Sequence, residues 1–392
     1  MIADKYTIRE QNEAIVLTNI INNTEISRST VSQNTGLNKA SISEIVKKLI
    51  TDQLINEIGI GNGSSSGGRK PILLQLNKQA GVSLGIDLGY DYVASMLTYL
   101  NGEIVKENRT TDILVTKENV LEIIKDVIEL YANLATETPY KIIGVTIAIH
   151  GIVFRNNILF TPYYNLDKID LYTELSKIID IPIYLENEAN LTALAESTFS
   201  TKKNNLVSVS IHSGIGAGII MNGSLYSGLN GRSGEIGHMT LYPNGLACPC
   251  GNHGCFEQYC SEKSIVNQFR LIKNDSSLSI DDLVKAYENK DEESLKLINK
   301  FIENLSIGIN NLIATYGPEI IYTNSSLTRK IPEILPTVNN KMVSSFNKNT
   351  PLYESQLGTK ASLLGASALA IKAFLRVEHL NFQLDNKENY TI

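Results

Sequence analysis

The chain has 392 residues, with 35 Lys and Arg against 41 Asp and Glu, 43% hydrophobic residues and four cysteines. This length predicts two or three domains, and the composition excludes a disordered tail or a fibrous protein. The net charge of −6 argues against a protein whose whole surface coats nucleic acid or an anionic membrane, although a small DNA-binding module on an acidic body stays compatible with it. Three of the four cysteines lie within Cys248–Cys255, which indicates a metal site in a reducing compartment rather than a disulfide scaffold.

Neither a targeting segment nor a membrane span is recognisable in the sequence. The first five residues carry charges where a signal peptide needs an apolar run. Residues 204–231 carry no formal charge, but their many Gly, Ser and Asn residues favour strands and tight turns over a membrane helix. We therefore predict a soluble, cytoplasmic protein without a membrane partner.

Residues 1–77 have the pattern of a helix-turn-helix followed by a wing. Apolar spacing and cap residues predict helices over residues 14–21, 29–33 and 39–52. Two strand-like runs, at residues 54–58 and 71–74, then flank a Gly/Ser-rich loop. A recognition helix in the major groove beside a cationic wing is a known docking arrangement, and a small helical dimerisation module is the alternative.

The candidate DNA contacts lie on the third helix and on the wing, and they are Asn38, Lys39, Ser41, Ser43, Arg69 and Lys70. Residues 1–77 hold eight Lys or Arg and seven Asp or Glu, so the acidic excess lies in the remainder of the chain. DNA binding should therefore depend on dimerisation and on individually placed contacts more than on bulk charge.

The remainder of the chain uses the same order of features twice. A strand, a glycine turn, a second strand and an Asn-Gly turn occur at residues 84–105 and again at residues 207–225. The two Asn-Gly pairs, Asn101-Gly102 and Asn222-Gly223, are the preferred filling of a two-residue hairpin turn. This repetition predicts two α/β lobes of related topology.

The strongest local signal is a His/Cys cluster with the spacing H-x9-C-x-C-x4-C, formed by His238, Cys248, Cys250 and Cys255. Four soft or borderline ligands this close suit a closed tetrahedral Zn²⁺ site, with one structural ion per chain. His253 could replace His238 as the nitrogen ligand, and buried unligated thiols are the alternative to a metal. Cys260 lies outside the pattern and is read as a buried thiol.

Polar groups surround this cluster and also follow an earlier strand. Glu235 and Glu257 bracket the metal loop, where fixed carboxylates could accept hydrogen bonds from sugar hydroxyls. Residues 186–190 follow the apolar strand at 181–184 and could face a ligand crevice, or could simply cap the next helix. The turn at residues 214–218 could cradle a phosphate, and a plain hairpin explains it equally well.

These features together resemble the ROK family of sugar-responsive repressors and sugar kinases, of the actin/hexokinase superfamily. The resemblance covers nearly the whole chain and depends most on residues 234–257, which look like the family signature. The helix-turn-helix at residues 27–54 resembles the repressor branch. The segments at residues 149–153 and 186–190 are most similar to those of the repressors that respond to xylose.

By this resemblance, Asn187, Glu235, His238 and Glu257 are sugar-binding positions, and His238 with the three cysteines holds the zinc ion. Glu188 stands where kinases of the family place the Asp that deprotonates the sugar hydroxyl. Glu is one methylene longer, so it could still bind a hydroxyl while the position of a base would change.

The departures from the kinase pattern predict a protein that is not an enzyme. Where the kinases follow their first-strand Asp with Gly-Gly-Thr, Asp87 is followed by Leu88-Gly89-Tyr90-Asp91. Tyr90 should fill the space that a phosphate needs, and the carboxylate of Asp91 should repel it. The strand at residues 318–322 leads into Thr323–Ser326 without the glycines of the adenosine side. Phosphoryl transfer depends on positioning and charge stabilisation, so this chain should not perform it. The alternative is an active ROK-type ATP-dependent sugar kinase.

We therefore predict a winged helix-turn-helix domain over residues 1–77 and a two-lobed ROK body for sugar sensing and dimerisation over residues 78–392. The lobes are placed at about residues 78–200 and 201–375, with the C-terminal segment packing back on the first lobe. The protein is expected to bind a palindromic operator as a homodimer, to repress xylose-utilisation genes and to be released by its sugar effector, D-xylose.

Overall fold

The computed structural model describes residues 5–60, 70–162 and 164–382, without the side chains of residues 5–7. Arg69 and most of the predicted wing loop lie outside these residues. The helices are α1 (Lys5–Ile21), α2 (Arg28–Thr35), α3 (Lys39–Thr51), α4 (Val120–Ala135), α5 (Leu171–Ile178), α6 (Glu188–Ala195), α7 (Glu257–Cys260), α8 (Glu262–Lys273), α9 (Ile280–Glu288), α10 (Glu292–Tyr316), α11 (Ser326–Lys330), α12 (Ile334–Lys341) and α13 (Ala361–Leu375). The strands are β1 (Ile26–Ser27), β2 (Ile55–Ile60), β3 (Ile72–Leu76), β4 (Val82–Leu88), β5 (Tyr92–Tyr99), β6 (Ile104–Thr111), β7 (Ile142–Ile149), β8 (Ile152–Phe154), β9 (Asn157–Phe160), β10 (Ile183–Asn187), β11 (Leu206–Ile211), β12 (Ile215–Met221), β13 (Ser224–Leu225), β14 (Ile320–Asn324) and β15 (Leu352–Glu354).

The N-terminal region consists of α1, α2 and α3 with a three-stranded sheet of order β1-β3-β2. Ser27 and Asn38 cap α2 and α3 through their side-chain oxygens, and Gly36 between the two helices has a φ of +71°. A left-handed glycine ends one helix and turns the chain into the next, which explains the short connection. The helices predicted at residues 29–33 and 39–52 are confirmed, whereas the two-residue strand β1 was not predicted.

The first five-stranded sheet has the order β10-β7-β4-β5-β6. Strands β4, β5 and β6 form an antiparallel meander, while β7 pairs in parallel with β4 and β10 pairs in parallel with β7. Both β4 and β7 are buried along their whole length, as continuous apolar strands covered on two faces should be. Leu84 and Ile86 join the side chains of α4 and α5 in one core, while α13 covers the opposite face at Gly85.

The second five-stranded sheet has the order β13-β12-β11-β14-β15. Strands β11, β12 and β13 form an antiparallel meander, while β14 pairs in parallel with β11 and β15 pairs in parallel with β14. This is the connectivity of the first sheet, strand for strand, so the predicted relationship between the two lobes is confirmed. The core of this sheet includes Phe256, Phe301 and Leu305, which join the helices α7 and α10 to the strands.

The chain divides into two compact units. The first unit runs to Leu191 and adds Ser197–Lys202 and the residues from Ser362 onward, while the second comprises Thr192–Glu196 and Lys203–Ala361. Helix α13 therefore belongs to the first unit, although the sequence analysis extended the second lobe to residue 375. The reason is packing, because α13 lies against the glycine-bearing faces of β4 and β7.

The segment after α13 also packs within the first unit. The backbone N–H of Phe382 donates to the carbonyl of Thr198 at 2.9 Å, and the ring of Phe382 stacks on Phe199 with centroids 5.9 Å apart. This agrees with the expected return of the C-terminal segment to the first lobe. Across the described residues, every helix is too short or too polar to cross a bilayer.

Candidate functional site

The metal loop brings together the four residues of the His/Cys cluster. The ligand atoms of His238, Cys248, Cys250 and Cys255 all lie within 4.8 Å of one another, and His253 does not belong to the group. Gly254 makes the convergence of the sulfur atoms sterically feasible, because its φ is +77° and a Cβ there would lie 1.7 Å from the carbonyl oxygen of Tyr242. The loop backbone thus folds the sequence spacing into a compact donor set.

The geometry and chemistry of this donor set suit a metal ion. The sulfur atoms of Cys250 and Cys255 are 3.7 Å apart, and the sulfur of Cys248 lies 3.7 Å from Nδ1 of His238. Burial raises the pKa of Cys248 to about 12, so a bound cation is needed to hold this sulfur as a thiolate at neutral pH. Cys260 is fully buried elsewhere, as expected of an unligated thiol.

Two carboxylates contact the histidine of the metal loop from different sides. Oε2 of Glu235 lies 3.7 Å from Nε2 of His238, whereas Oε1 of Glu257 lies 3.7 Å from Nδ1 and 3.2 Å from the sulfur of Cys248. Burial raises the pKa of Glu235, and the nearby carboxylate of Glu257 adds to this effect. The loop therefore fixes two acceptor groups within reach of one imidazole, which is an arrangement suited to a polyhydroxy ligand.

Asn187 and Glu188 lie at the junction of β10 and α6 in the first unit. Oδ1 of Asn187 accepts a hydrogen bond from the backbone N–H of Asn190 at 3.0 Å, so it caps α6, which begins at Glu188. The amide nitrogen of Asn187 donates to the carbonyl of Gly151 at 2.7 Å. The capping interpretation is thus correct, and a second lone pair on Oδ1 stays available for a ligand.

Glu188 lies beside a partly buried ion pair that links two neighbouring strands. Oδ1 of Asp87, near the end of β4, lies 2.8 Å from Nε2 of His150, which directly follows β7. Oδ2 of Asp87 accepts a hydrogen bond from Ser362 at 2.7 Å. Burial alone would raise the pKa of Asp87, but His150 and Ser362 lower it. Burial opposes protonation of His150, yet Asp87 and then Glu188 raise its pKa to about 9.

Two tyrosines complete this polar cluster. The hydroxyl of Tyr164 accepts a hydrogen bond from the backbone N–H of His150 at 3.0 Å and donates to the carbonyl of Leu88 at 2.8 Å. The ring of Tyr92 lies directly on Gly89, where a Cβ would come within 2.1 Å of it, and its hydroxyl lies 3.2 Å from Nε2 of His150. Tyr92 therefore covers the glycine turn, whereas the side chain of Tyr90, which the sequence predicts to fill the space of a phosphate, is 48% exposed.

That these residues lie together in one cluster was not predicted from the sequence. Asp87 and His150 stand at the carboxyl ends of adjacent parallel strands, which is the position where ligand-facing groups collect in α/β sheets. Applying that rule to β4 and β7 together would have paired them. Ser362 lies 275 residues further along the chain than Asp87, and no local signal in the sequence links the two.

The candidate DNA contacts that the structure describes lie at the N-cap and in the N-terminal half of α3, and at Lys70, two residues before β3. Lys39 and Ser43 are exposed, Ser41 is half-buried, and Oγ of Ser43 donates to the carbonyl of Lys39 at 2.9 Å. Oδ1 of Asn38 accepts a hydrogen bond from the N–H of Ser41 at 2.9 Å, so Asn38 is also the cap of the helix. Lys70 is exposed, and Arg69 lies outside the described residues.

Comparison with known proteins identifies the family. The model of the ROK family matches residues 83–373. The chain belongs to the ROK family. The xylose repressor of Bacillus spizizenii is 36% identical over 383 residues, which are 96% of this chain and 99% of that protein.

Solved structures of ROK proteins resemble the chain in fold. A ROK family transcriptional regulator, a homologue of the E. coli MLC protein, has a TM-score of 0.80 at 28% identity and covers 94% of this chain and 97% of its own. A ROK glucokinase of Streptomyces griseus, solved with glucose and AMPPNP, has a TM-score of 0.65 at 21% identity and covers 74% of this chain and 99% of its own. At that identity the kinase shows the shared actin/hexokinase-like fold alone.

Within this ROK fold, the hydrogen-bond donors of the loop after β14 are bound by a side chain of the protein itself. Oε1 of Glu262, at the start of α8, accepts hydrogen bonds from the backbone N–H groups of Ser326 at 2.5 Å and Leu327 at 3.2 Å, and from Oγ of Ser325 at 2.8 Å. Donors that could receive an anion thus already face a carboxylate. Of the predicted turn at residues 214–218, residues 215–218 lie in β12, which forms a plain antiparallel hairpin with β11.

Proposed function

We propose that this ROK protein is a sugar-responsive transcriptional repressor of xylose-utilisation genes. The observation that carries the proposal is the length of the similarity, because the xylose repressor of Bacillus spizizenii matches 96% of the chain. The family model begins only at residue 83, so this similarity extends into the helical N-terminal region that precedes the ROK domain. A DNA-binding head joined to a sugar-binding body is the simplest function for such an arrangement.

The N-terminal region is proposed to be a winged helix-turn-helix. Helices α2 and α3 joined at Gly36, with the hairpin of β2 and β3 behind them, fit that motif. In this proposal α3 enters the major groove, with Asn38, Lys39, Ser41 and Ser43 contacting bases or phosphates. Lys70 and Arg69 would contact the adjacent backbone from the wing.

Operator binding is proposed to require a homodimer. Two copies of α3 would then meet successive major grooves of a palindromic site, at the spacing of about one helical turn that dimeric helix-turn-helix proteins use. The N-terminal region carries eight basic and seven acidic residues, so a single head has little bulk attraction for DNA. Pairing two heads on one rigid assembly raises the effective concentration of the second contact.

The metal loop is proposed to hold one structural Zn²⁺ through His238, Cys248, Cys250 and Cys255. Two thiolates bound to one tetrahedral zinc at about 2.3 Å lie about 3.7 Å apart. The distance of 3.7 Å between the sulfur atoms of Cys250 and Cys255 supports this assignment. Because protein groups supply all four ligands, the ion would order the loop rather than activate water.

The proposed sugar contacts are Asn187, Glu188, Glu235, His238 and Glu257. Carboxylates accept hydrogen bonds from sugar hydroxyls, and an amide oxygen or an imidazole nitrogen adds direction to the contact. The zinc loop would fix three of these groups, since His238 is both a ligand and a proposed contact. D-Xylose is the proposed effector, by analogy with the xylose repressor that matches nearly the whole chain.

Sugar binding is proposed to release the protein from its operator. A coupling free energy of roughly 1–3 kcal/mol between the two ligands would weaken operator binding about 5- to 150-fold. By reciprocity, operator DNA would weaken sugar binding by the same factor.

Two observations support the absence of kinase activity. The carboxylate of Glu262 accepts hydrogen bonds from the backbone N–H groups at the start of α11, where the kinases of the family have adenosine-side glycines. Tyr92 covers the glycine turn after β4, where those kinases hold phosphate. A coupled assay of ATP turnover with xylose, glucose and N-acetylglucosamine should show no sugar-dependent rate, and measurable turnover would instead establish the kinase alternative.

The experiment that tests the proposed function starts with a thermal-shift screen of pentoses and hexoses. A ligand that binds only the native state raises the midpoint by mass action, so D-xylose should raise it and L-xylose, a matched control, should not. Palindromic duplexes selected from a random-sequence library with the full chain should then bind tightly and be released by D-xylose. A protein that selects no duplex, or whose duplex is insensitive to every sugar in the screen, would contradict the proposal.

A further inference from the structure

We infer that Tyr140 positions the recognition helix and that α13 transmits the sugar signal to it. This inference rests on the proposed function, since it concerns how a sugar contact and a DNA contact of the same chain communicate. Every contact that carries it lies within the first unit. The contacts form a continuous series from α6, which begins at Glu188, to the C-terminal end of α3.

The series starts where α6 crosses α13. Gly365 packs so closely on α6 that a Cβ there would lie 1.8 Å from the carbonyl oxygen of Leu191. Near the start of α13, Ser362 donates its hydroxyl to Oδ2 of Asp87 at 2.7 Å. Both contacts lie beside the proposed sugar residues Asn187 and Glu188, so a displacement of α6 must be met by α13.

Helix α13 can carry such a displacement because it packs as a rigid rod. A Cβ on Gly85 would lie 2.9 Å from the carbonyl oxygen of Leu363 and 3.1 Å from Ala366, and one on Gly144 would lie 3.2 Å from Ala370. The helix axis therefore lies very close to β4 and β7 along most of its length. A 15-residue helix spans about 22 Å, so a displacement of the helix at Ser362 would also move its opposite end at Leu375.

Tyr140 connects that far end to the recognition helix. Its ring packs edge-to-face on Phe374 of α13, with centroids 5.0 Å apart and an interplanar angle of 69°. Its hydroxyl donates to the carbonyl of Asp52 at 2.9 Å, and Asp52 is the C-cap of α3. The backbone N–H of Tyr140 is itself fixed by the carbonyl of Ala80 at 2.8 Å.

The residues around Asp52 make this hydrogen bond a constraint on the whole helix. Gln53 follows the cap with a φ of +57°, and its carbonyl accepts from the side chain of Asn77 at 2.8 Å. The chain thus leaves α3 through a strained turn that is held on both sides. An exposed ion pair between Glu10 and Arg376, the residue that follows α13, also connects the head to this end of the helix, and such a pair contributes little.

The test uses the full chain and the variant Tyr140→Phe, which removes one oxygen atom and keeps the ring contact with Phe374. Affinity for the selected palindromic duplex is measured with and without D-xylose, and affinity for D-xylose is measured by calorimetry. Loss of one partly exposed hydrogen bond should weaken duplex binding without sugar about two- to fivefold. The factor by which xylose weakens the duplex should fall at least threefold, while xylose affinity stays within about twofold of wild type.

Two further variants complete the design. Phe374→Leu should also reduce the factor by which xylose weakens duplex binding. The double variant should reduce this factor no further than the more affected single variant, because both substitutions act on one series of contacts. The control Tyr353→Phe, at an exposed tyrosine of the second unit, should keep the duplex affinity and the xylose response of the wild type. A Tyr140→Phe protein that keeps both its duplex affinity and its response to xylose would overturn the inference and leave the proposed function intact. A wild-type protein without duplex binding would overturn the proposed function as well.

Discussion

The half-buried imidazole of His150 and the buried carboxylate of Asp87 form an ion pair with 2.8 Å between Nε2 and Oδ1. It joins two parallel strands, β4 and β7, at the end where polar ligand-facing groups collect. Attraction to Asp87 overcomes the effect of burial and raises the pKa of His150 to about 9 from an ordinary value of 6.5. The pKa of Asp87 is lowered from 3.8, because His150 and Ser362 favour its charged form.

This pair predicts a pH window of stability. The contribution of His150 to the free energy of unfolding should be complete below pH 6.5 and lost as the pH rises through about 9. The contribution of Asp87 should be present above pH 3.8 and lost as the pH falls further. His150→Gln should destabilise the protein by about 3 kcal/mol at pH 6, because it leaves a buried carboxylate without its partner.

Urea denaturation at pH 6 and pH 10 measures the contribution of His150, and circular dichroism is a convenient readout because the chain has no tryptophan. The difference between wild type and His150→Gln should shrink at pH 10. His379→Gln, at an exposed histidine, is the control and should leave the curve unchanged. An equal loss at both pH values would mean that the two groups are not charged at neutral pH.

The metal loop predicts a stoichiometric ion that depends on Cys250. Native mass spectrometry should find one zinc per chain, and Cys250→Ser should lose it because a hydroxyl is a poor ligand for this donor set. Metal loss should also lower the thermal midpoint, since zinc binding contributes to folding free energy. Cys260→Ala removes a thiol outside the cluster and should keep the ion. Retention of zinc by Cys250→Ser would show that the ligand set is different.

Glu235 predicts a specific effect on sugar affinity. Glu235→Gln keeps the shape of the side chain and removes the charge, so it should weaken xylose binding about tenfold, the equivalent of one charge-assisted hydrogen bond. Titration calorimetry measures this change while native mass spectrometry checks that the metal is retained. Glu303→Gln, at an exposed carboxylate on α10, should bind xylose as wild type does. Equal affinities of Glu235→Gln and wild type would remove Glu235 from the proposed contacts.

Lys39 predicts an effect on DNA affinity that depends on salt. Lys39→Ala should weaken binding to the selected duplex and reduce the slope of log affinity against log salt by about one, because the ammonium group would no longer neutralise a phosphate. Fluorescence anisotropy between about 50 and 200 mM salt covers the useful range. Lys125→Ala on α4, another exposed lysine, is the matched control. If both variants reduce the slope equally, α3 is not the DNA-facing helix.

Local sequence patterns were enough to predict the elements that local rules govern. Ser27 and Asn38 precede their helices as caps, and Asn222-Gly223 turns a hairpin with φ values of +53° and +75°. The donor set of the metal loop was also predictable, because its four members lie within eighteen residues. Each of these features depends on neighbours along the chain.

Features that depend on distant parts of the chain were missed. The place of α13 in the first unit is set by its packing on Gly85 and Gly144, more than 200 residues before it. No local sequence pattern indicates that these glycines and α13 lie together. The same holds for Glu262, whose carboxylate reaches donors more than 60 residues further on. The strand β1 is too short to produce an alternating pattern, and it exists because it pairs with β3.

The position of His238 has a consequence for the physiology of such a repressor. The same imidazole faces Cys248 through Nδ1 and Glu235 through Nε2, so it belongs both to the proposed zinc site and to the proposed effector site. Starvation for zinc would then disable induction even when the pentose is abundant. In that state the genes would stay silent because the cell lacks a trace nutrient, and carbohydrate use would become conditional on metal supply.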